Sequence, residues 1–139
     1  MRSNTKPVIS TFLRRVLLAD AAATGATAAL MAFAAGPLAA FLGLPADLMR
    51  WAGFSLFPWV VLLLWLGTRE RVSRPLVLAV VAGNALWAVD SVLLLMTGWV
   101  EPTVFGYIFA VAQALVVAAF AELQYVGLRP NTLSGGGRL

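Results

Sequence analysis

The sequence predicts an all-α integral membrane protein, a four-helix bundle with both the N-terminus and the C-terminus cytoplasmic. Three observations lead there. Of the 139 residues, 61% are hydrophobic and 12% are charged, against about 45–50% and about 25% in a soluble domain. Such a chain has too few charges to cover a water-facing surface, and its mean hydropathy is +0.89. The apolar residues also gather in four runs, each near the roughly 17–25 residues that cross a bilayer as a helix. These runs are continuously apolar and rich in Ala, Leu and Val, whereas strands of a membrane barrel alternate apolar and polar residues. Helices pair their backbone polar groups internally, as hydrocarbon demands.

The elements follow in order. Residues 1–11 are polar and basic, and Arg14 and Arg15 stand before the first span, residues 16–35, with Gly36 and Pro37 near its end. A secretory signal peptide also starts basic, but its apolar core is about 7–15 residues, shorter than this run. Residues 38–44 stay apolar. Pro45 and Asp47 then mark a helix entry, because Pro suits a first turn and Asp meets the positive end of the helix dipole. The second span is residues 51–68. Pro58 removes one backbone donor inside it, so a kink is expected near Ser55–Pro58. Arg69 to Pro75 is a short charged loop, and residues 76–98 form the third span. Trp99, Val100, Glu101 and Pro102 make a turn, and the fourth span, residues 103–121, continues helical to Gly127. Residues 1–129 thus read as one four-span domain. The Gly/Ser-rich residues 130–139 read as a disordered tail.

Charge sets the orientation. The N-terminal segment carries Arg2, Lys6, Arg14 and Arg15, the middle loop Arg69, Arg71 and Arg74, and the tail Arg129 and Arg138; the other side carries Arg50 alone. Positive loops stay cytoplasmic. Trp51 and Trp99 then fall at the outer interface, and Trp65 and Tyr125 at the inner one, as an aromatic belt requires. Trp87 lies mid-span. The formal charge of +4 is accordingly assigned to topology and anionic lipid headgroups rather than to nucleic acid. The chain has no Cys and no His, which removes disulfides, haem or zinc held by those residues, and His catalysis. No phosphate-binding Gly loop and no Gly-x-Ser-x-Gly occurs, and no catalytic or metal-ligating set is assigned.

Ionisable groups inside hydrocarbon are costly and mark candidate sites. Asp90 lies near the middle of the third span. It costs about 2.5–3.5 kcal/mol to insert, and the Leu, Val and Met residues of that span offset this at roughly 0.3–0.6 kcal/mol each. It is expected to face the bundle and to meet Gln113, with Asn84 and Ser91 as other partners. Asn84, Trp87 and Ser91 share one helical stripe and Asp90 lies at its edge. Asp90, Asn84, Trp87 and Gln113 are therefore the candidate ligand or proton site. The plainer alternative is an interhelical hydrogen bond that sets helix register, worth about 0.6–2 kcal/mol.

Asp20 sits at the start of the stripe Asp20, Thr24, Thr27 and Met31, which should look inward. It reads either as part of a polar cavity or as an acid paired with Arg14 or Arg15 near the N-terminus of its helix. Glu122 lies near a helix C-terminus, where the dipole disfavours an acid, so Arg14, Arg15 or Arg129 is its expected partner. Asp20, Glu122, Arg14 and Arg15 are read together as an inner-leaflet charge cluster. Ala21, Gly25 and Ala29 follow the small-xxx-small spacing that lets helices approach closely, within the bundle or between copies. Gly98, Gly106 and Gly127 read as turn, close packing and helix end.

Pro37-Leu38-Ala39-Ala40-Phe41-Leu42-Gly43-Leu44-Pro45, placed after a first span, resembles the corresponding segment of DoxX-like small bacterial membrane proteins. Gly83-Asn84-Ala85-Leu86-Trp87, the turn from Gly98 to Thr103, Gln113-Ala114 and the segment from Glu122 to Arg129 are similar to uncharacterised four-span bacterial proteins. The resemblance spans about residues 13–129 and implies a bundle in the bacterial inner membrane; some DoxX-like proteins are associated with quinone or sulfur oxidoreductase systems. Three functions are expected from these readings. The first is a non-catalytic membrane subunit or accessory protein packed against a protein partner or itself. The second is a small oligomeric carrier with Asp90 as a protonatable site. The third is a quinone- or lipid-binding subunit using Trp87 and its polar neighbours, for which a pocket open to the bilayer is the expected sign. Orientation is directly testable in a chain free of native cysteine. A membrane-impermeant maleimide applied to intact cells should label Thr97→Cys and spare Glu70→Cys; the reverse pattern would invert the topology.

Overall fold

The computed structural model describes residues 8–129. They form five helices: α1 (Thr11–Phe33), α2 (Ala35–Leu42), α3 (Ala46–Gly67), α4 (Arg74–Thr97) and α5 (Val104–Gly127). All but α2 are long and apolar enough to cross a membrane. The expected four-span bundle is present, and the chain is a multi-pass membrane protein by the length and composition of these helices. The tail at residues 130–139 lies outside the described residues.

Local chemistry explains the boundaries. Ser10 caps α1 by accepting the Leu13 N–H at 3.0 Å. Ser73 caps α4, and Pro75 stands in its first turn. Thr103 caps α5 by accepting the Gly106 N–H. These hydroxyls take up donors that a helix start leaves without partners. Gly98 ends α4 at φ +81°, a left-handed conformation that favours Gly. The turn, close-packing and helix-end readings of Gly98, Gly106 and Gly127 hold. α3 runs through Pro58 without interruption.

One element differs from the sequence expectation. The apolar stretch after the first span is a separate short helix. α1 stops at Ala34, and α2 turns back toward the α4–α5 connection. Its last carbonyls accept bonds from Thr103: the backbone N–H reaches Leu42 at 2.9 Å and the hydroxyl reaches Phe41 at 2.8 Å. Phe41 stacks on Phe105 with ring centroids 4.5 Å apart. Gly106 allows this contact, because a Cβ there would collide with the Leu42 carbonyl.

The packing is uneven in a way that matters. α1 packs closely on α3, α4 packs closely on α5, and α5 closes onto α1; α3 and α4, though consecutive, barely approach. Two apolar clusters plug the ends. One gathers Leu13, Leu17, Leu63, Leu66, Val77 and Val80 at the end that holds the α3–α4 loop. The other gathers Met31, Ala35, Leu42 and Met49 beside α2. Ile9 joins the first cluster and donates its N–H to Glu70 at 3.0 Å, tying the chain ahead of α1 to that loop. The large side chains left exposed, among them Phe33, Trp51, Leu86, Met96 and Leu115, form the face a bilayer covers. Trp51 and Trp99 flank one end and Trp65 and Tyr125 the other, all exposed, with the Arg69 guanidinium 4.9 Å from the Trp65 ring centroid.

Small residues make the α1–α3 contact. Gly25 faces Val60, and a Cβ on Gly53 would sit 2.6 Å from the Ala32 nitrogen and 2.9 Å from the Ala28 carbonyl oxygen. Of the small-xxx-small stripe of α1, Gly25 meets Val60 of α3 at ordinary contact distance, while the tightest approach is made by Ala28 and Ala32 against Gly53. Gly53→Val should therefore separate α1 from α3 and destabilise the fold by about 1–3 kcal/mol, the usual cost of overpacking. Gly36→Ala, which meets nothing within 4 Å, should leave thermal unfolding in mild detergent unchanged. Equal unfolding temperatures for the two variants would contradict the seam.

Candidate functional site

The most buried acid in the bundle is Asp20, with no exposed surface. Its carboxylate can only accept hydrogen bonds. The Thr24 hydroxyl donates to Oδ1 at 2.9 Å. The Asn84 amide donates to Oδ2 at 2.8 Å and the Gln124 amide donates to the same oxygen at 2.7 Å. Asn84 gives its second N–H to the Gln124 oxygen at 3.0 Å. Asp20 on α1, Asn84 on α4 and Gln124 on α5 thus form a closed ring of donors and acceptors in a buried setting. Because the carboxylate demands N–H groups, both amides turn their nitrogens toward it. The Asn84 oxygen is left pointing away from the ring, and Asn84 borders a cavity.

That cavity measures about 440 Å³ and draws on all four long helices. Thr24 and Thr27 contribute from α1, Trp59 from α3, Asn84 and Trp87 from α4, and Phe109, Gln113 and Phe120 from α5. Trp59 lines the cavity from α3. Its ring lies against Gly83, where a Cβ would come within 3.1 Å of ring atom Cζ2. Ile108 and Val116 line the cavity while remaining exposed, so it opens sideways along α5. Most of the wall is apolar. Among its polar groups, the Thr24 and Thr27 hydroxyls spend their hydrogens on Asp20 and on the Ala23 carbonyl, leaving oxygen lone pairs. The Trp87 indole N–H donates to the Gln113 oxygen at 2.8 Å, and the Gln113 amide donates to the Ala110 carbonyl at 3.0 Å.

A second cavity of about 340 Å³ adjoins the first. Trp87, Phe109 and Gln113 border both, so the Trp87–Gln113 bond is part of their dividing wall. Asp90 and Ser91 lie on the second side, with Leu48 and Met49 of α3 and Leu94 of α4.

The candidates from the sequence are therefore distributed differently from expectation. Trp87 and Gln113 do meet. Asn84 does not serve Asp90, because Asp20 claims its amide. Gln113 does not serve Asp90 either: its oxygen takes the indole hydrogen and one of its N–H groups serves the Ala110 carbonyl, and no bond to Asp90 forms. Ser91 bonds its own helix at the Trp87 carbonyl. Asp90 is exposed, and among the described residues no hydrogen bond or ion pair reaches it.

The expected inner-leaflet charge cluster does not assemble. Asp20 is served by neutral amides. Arg14 instead donates to the Gly67 and Arg69 carbonyls at 2.7 and 3.1 Å, which closes the free end of α3. Arg15 and Glu122 are both exposed, and no ion pair of the described residues joins them to each other or to Asp20. Asp20, Asp90 and Glu122 do not converge on one point. The inward stripe Asp20, Thr24, Thr27 and Met31 does reach the cavities. Gln124 is the residue that sequence reasoning missed. The available signal was its spacing of eleven from Gln113, three helical turns along the same face.

No family model, curated protein or solved structure matches this chain. Removing the centre of the polar ring gives a direct measure of its role. Asp20→Ala leaves the Asn84 and Gln124 amides without their acceptor and should cost about 1–3 kcal/mol. Asp90→Ala breaks no bond and should leave unfolding in detergent unchanged. If Asp20→Ala were as stable as the native chain, the ring would not hold α1, α4 and α5 together.

Proposed function

We propose that this chain is a non-catalytic multi-pass protein of a bacterial inner membrane that holds a small lipid-soluble molecule within its bundle. The observation that carries this reading is the cavity of about 440 Å³ bordered by α1, α3, α4 and α5. A volume of this size lies within the range of about 300–1,000 Å³ found for small-molecule sites, which are mainly apolar with a few placed polar groups. The aromatic rings of Trp59, Trp87, Phe109 and Phe120 suit a flat or alicyclic body. The sideways opening suits entry from lipid.

The polar groups narrow the ligand further. The cavity offers mostly acceptors: the Asn84 oxygen and the Thr24 and Thr27 hydroxyl oxygens. Its spare donors are the second hydrogen of the Gln113 amide and the Trp59 indole N–H, which meets no acceptor among the described residues. A ligand with a hydroxyl or N–H group satisfies these atoms better than one with carbonyls alone. Among quinone-type and lipid-type ligands, this favours the quinol or alcohol form. The basic end, with Arg14, Arg69, Arg71 and Arg74, is assigned to the cytoplasmic face on the charge asymmetry of the sequence.

The test uses the full chain in lipid nanodiscs and the probe 4-hexylphenol, with 4-hexylanisole as the analogue lacking the hydrogen. Saturable binding of the phenol over empty discs is expected. The anisole should bind about 2–10-fold more weakly, the worth of one net hydrogen bond. Ala112→Trp fills this cavity and not its neighbour, so it should abolish binding of both probes. Undiminished binding in Ala112→Trp, or none in the native chain, would overturn the reading.

A further inference from the structure

We infer that the second cavity is a binding site for an organic monocation with an apolar body, such as an alkyl or aryl ammonium, and that Asp90 is its counter-charge. The inference starts from the contrast between two acids of the membrane-spanning helices, the buried Asp20 and the exposed Asp90 at a cavity mouth. An intramembrane acid is retained for structure when it bonds across helices. Asp20 does this through two donors, Asn84 of α4 and Gln124 of α5. Asp90 does not: among the described residues nothing donates to it. Yet it costs about 2.5–3.5 kcal/mol at the centre of a span, so its place in α4 calls for a partner from outside the chain.

The position of Asp90 specifies that partner. Gly83, Trp87, Asp90 and Leu94 recur at helical spacing on one face of α4, and Gly83 meets Trp59 of α3. The same face therefore borders the seam where α3 and α4 barely approach. Asp90 stands on the wall of a cavity of about 340 Å³, opposite Leu48 and Met49, with Leu94 and Leu95 beside it and the Trp87 ring forming part of the boundary. A carboxylate in an apolar chamber with an indole face matches a cation that carries its own hydrocarbon; cation–π attraction over Trp adds to the ion pair. A metal ion fits poorly. It would need several oxygen ligands in place of its water, and Asp90 is the one carboxylate bordering this cavity, with no cluster of three acids near it among the described residues. A bare proton has no use for the volume. The arginines offer no internal substitute: Arg14 and Arg74 bind carbonyls at the far end of the bundle, and Arg50 pairs with Asp47 at 3.0 Å.

The experiment measures benzyltrimethylammonium binding to the full chain in phosphatidylcholine nanodiscs by equilibrium dialysis. The uncharged carbon isostere, neopentylbenzene, serves as the control. Saturable uptake of the cation above empty discs is expected. Asp90→Asn, which keeps the side-chain size, should weaken it about tenfold or more, and Asp90→Glu should retain it within about threefold. Leu94→Trp, which fills this cavity and not the larger one, should also remove it. Neopentylbenzene should be insensitive to Asp90→Asn. Hexylphenol binding, which depends on the other cavity, reports whether each variant is still folded. Cation uptake unchanged in Asp90→Asn, no saturable uptake by the native chain, or equal loss of the neutral isostere would each overturn the assignment.

Discussion

The bundle depends on how one carboxylate without a counter-charge is kept inside a membrane. Asp20 has no exposed surface and no arginine beside it. Its charge is spread over donors from three helices. This arrangement is strong because the alternative is a charge in hydrocarbon with nothing to accept from. It is also directional. The acceptor-only carboxylate dictates which way the Asn84 and Gln124 amides turn, and that choice leaves an oxygen at the cavity wall. A single buried charge thus holds α1, α4 and α5 together and sets the polarity of the neighbouring space.

The rest of the interior follows from where packing is tight and where it is not. Gly53 lets α1 and α3 touch backbone to backbone, and apolar plugs close both ends of the bundle. α3 and α4 do not touch in this way, and between them the Trp59 ring lies against Gly83. The space left in the middle is lined by rings and a few polar atoms. It is split by the hydrogen bond between Trp87 and Gln113. Each half then has its own chemistry: the larger offers neutral polar atoms, and the smaller offers one carboxyl group.

Arginine plays a different role from the one its position in sequence suggests. Arg14 and Arg74 sit near acids along the chain, yet they donate to the backbone carbonyls of Gly67, Arg69 and Leu128. Helix C-termini leave carbonyls without partners, and a guanidinium at the membrane boundary can serve them while staying near water. An exposed acid such as Glu122 can be solvated instead.

Fold class, the four spans and the aromatic belts were legible from the sequence, because hydrophobic run length and the placement of aromatic residues at its ends are local properties. The inward stripe from Asp20 to Met31 was legible for the same reason, since helical periodicity needs no knowledge of neighbours. Three features were not. α2 read only as an apolar stretch after the first span, because eight apolar residues give no sign of their own that they form a separate helix. Asn84 sits on a stripe beside Asp90, but a contact with Asp20, 64 residues away, depends on how α4 is rotated against α1. The cavities are bordered by residues of several helices, as where Trp59 of α3 and Gly83 of α4 meet at the wall of the larger one. Composition and periodicity determined that this chain crosses a membrane as helices. Only the tertiary packing decided which acid is bonded and which is left open, because hydrogen-bond partners and voids are properties of helix pairs, not of any one helix.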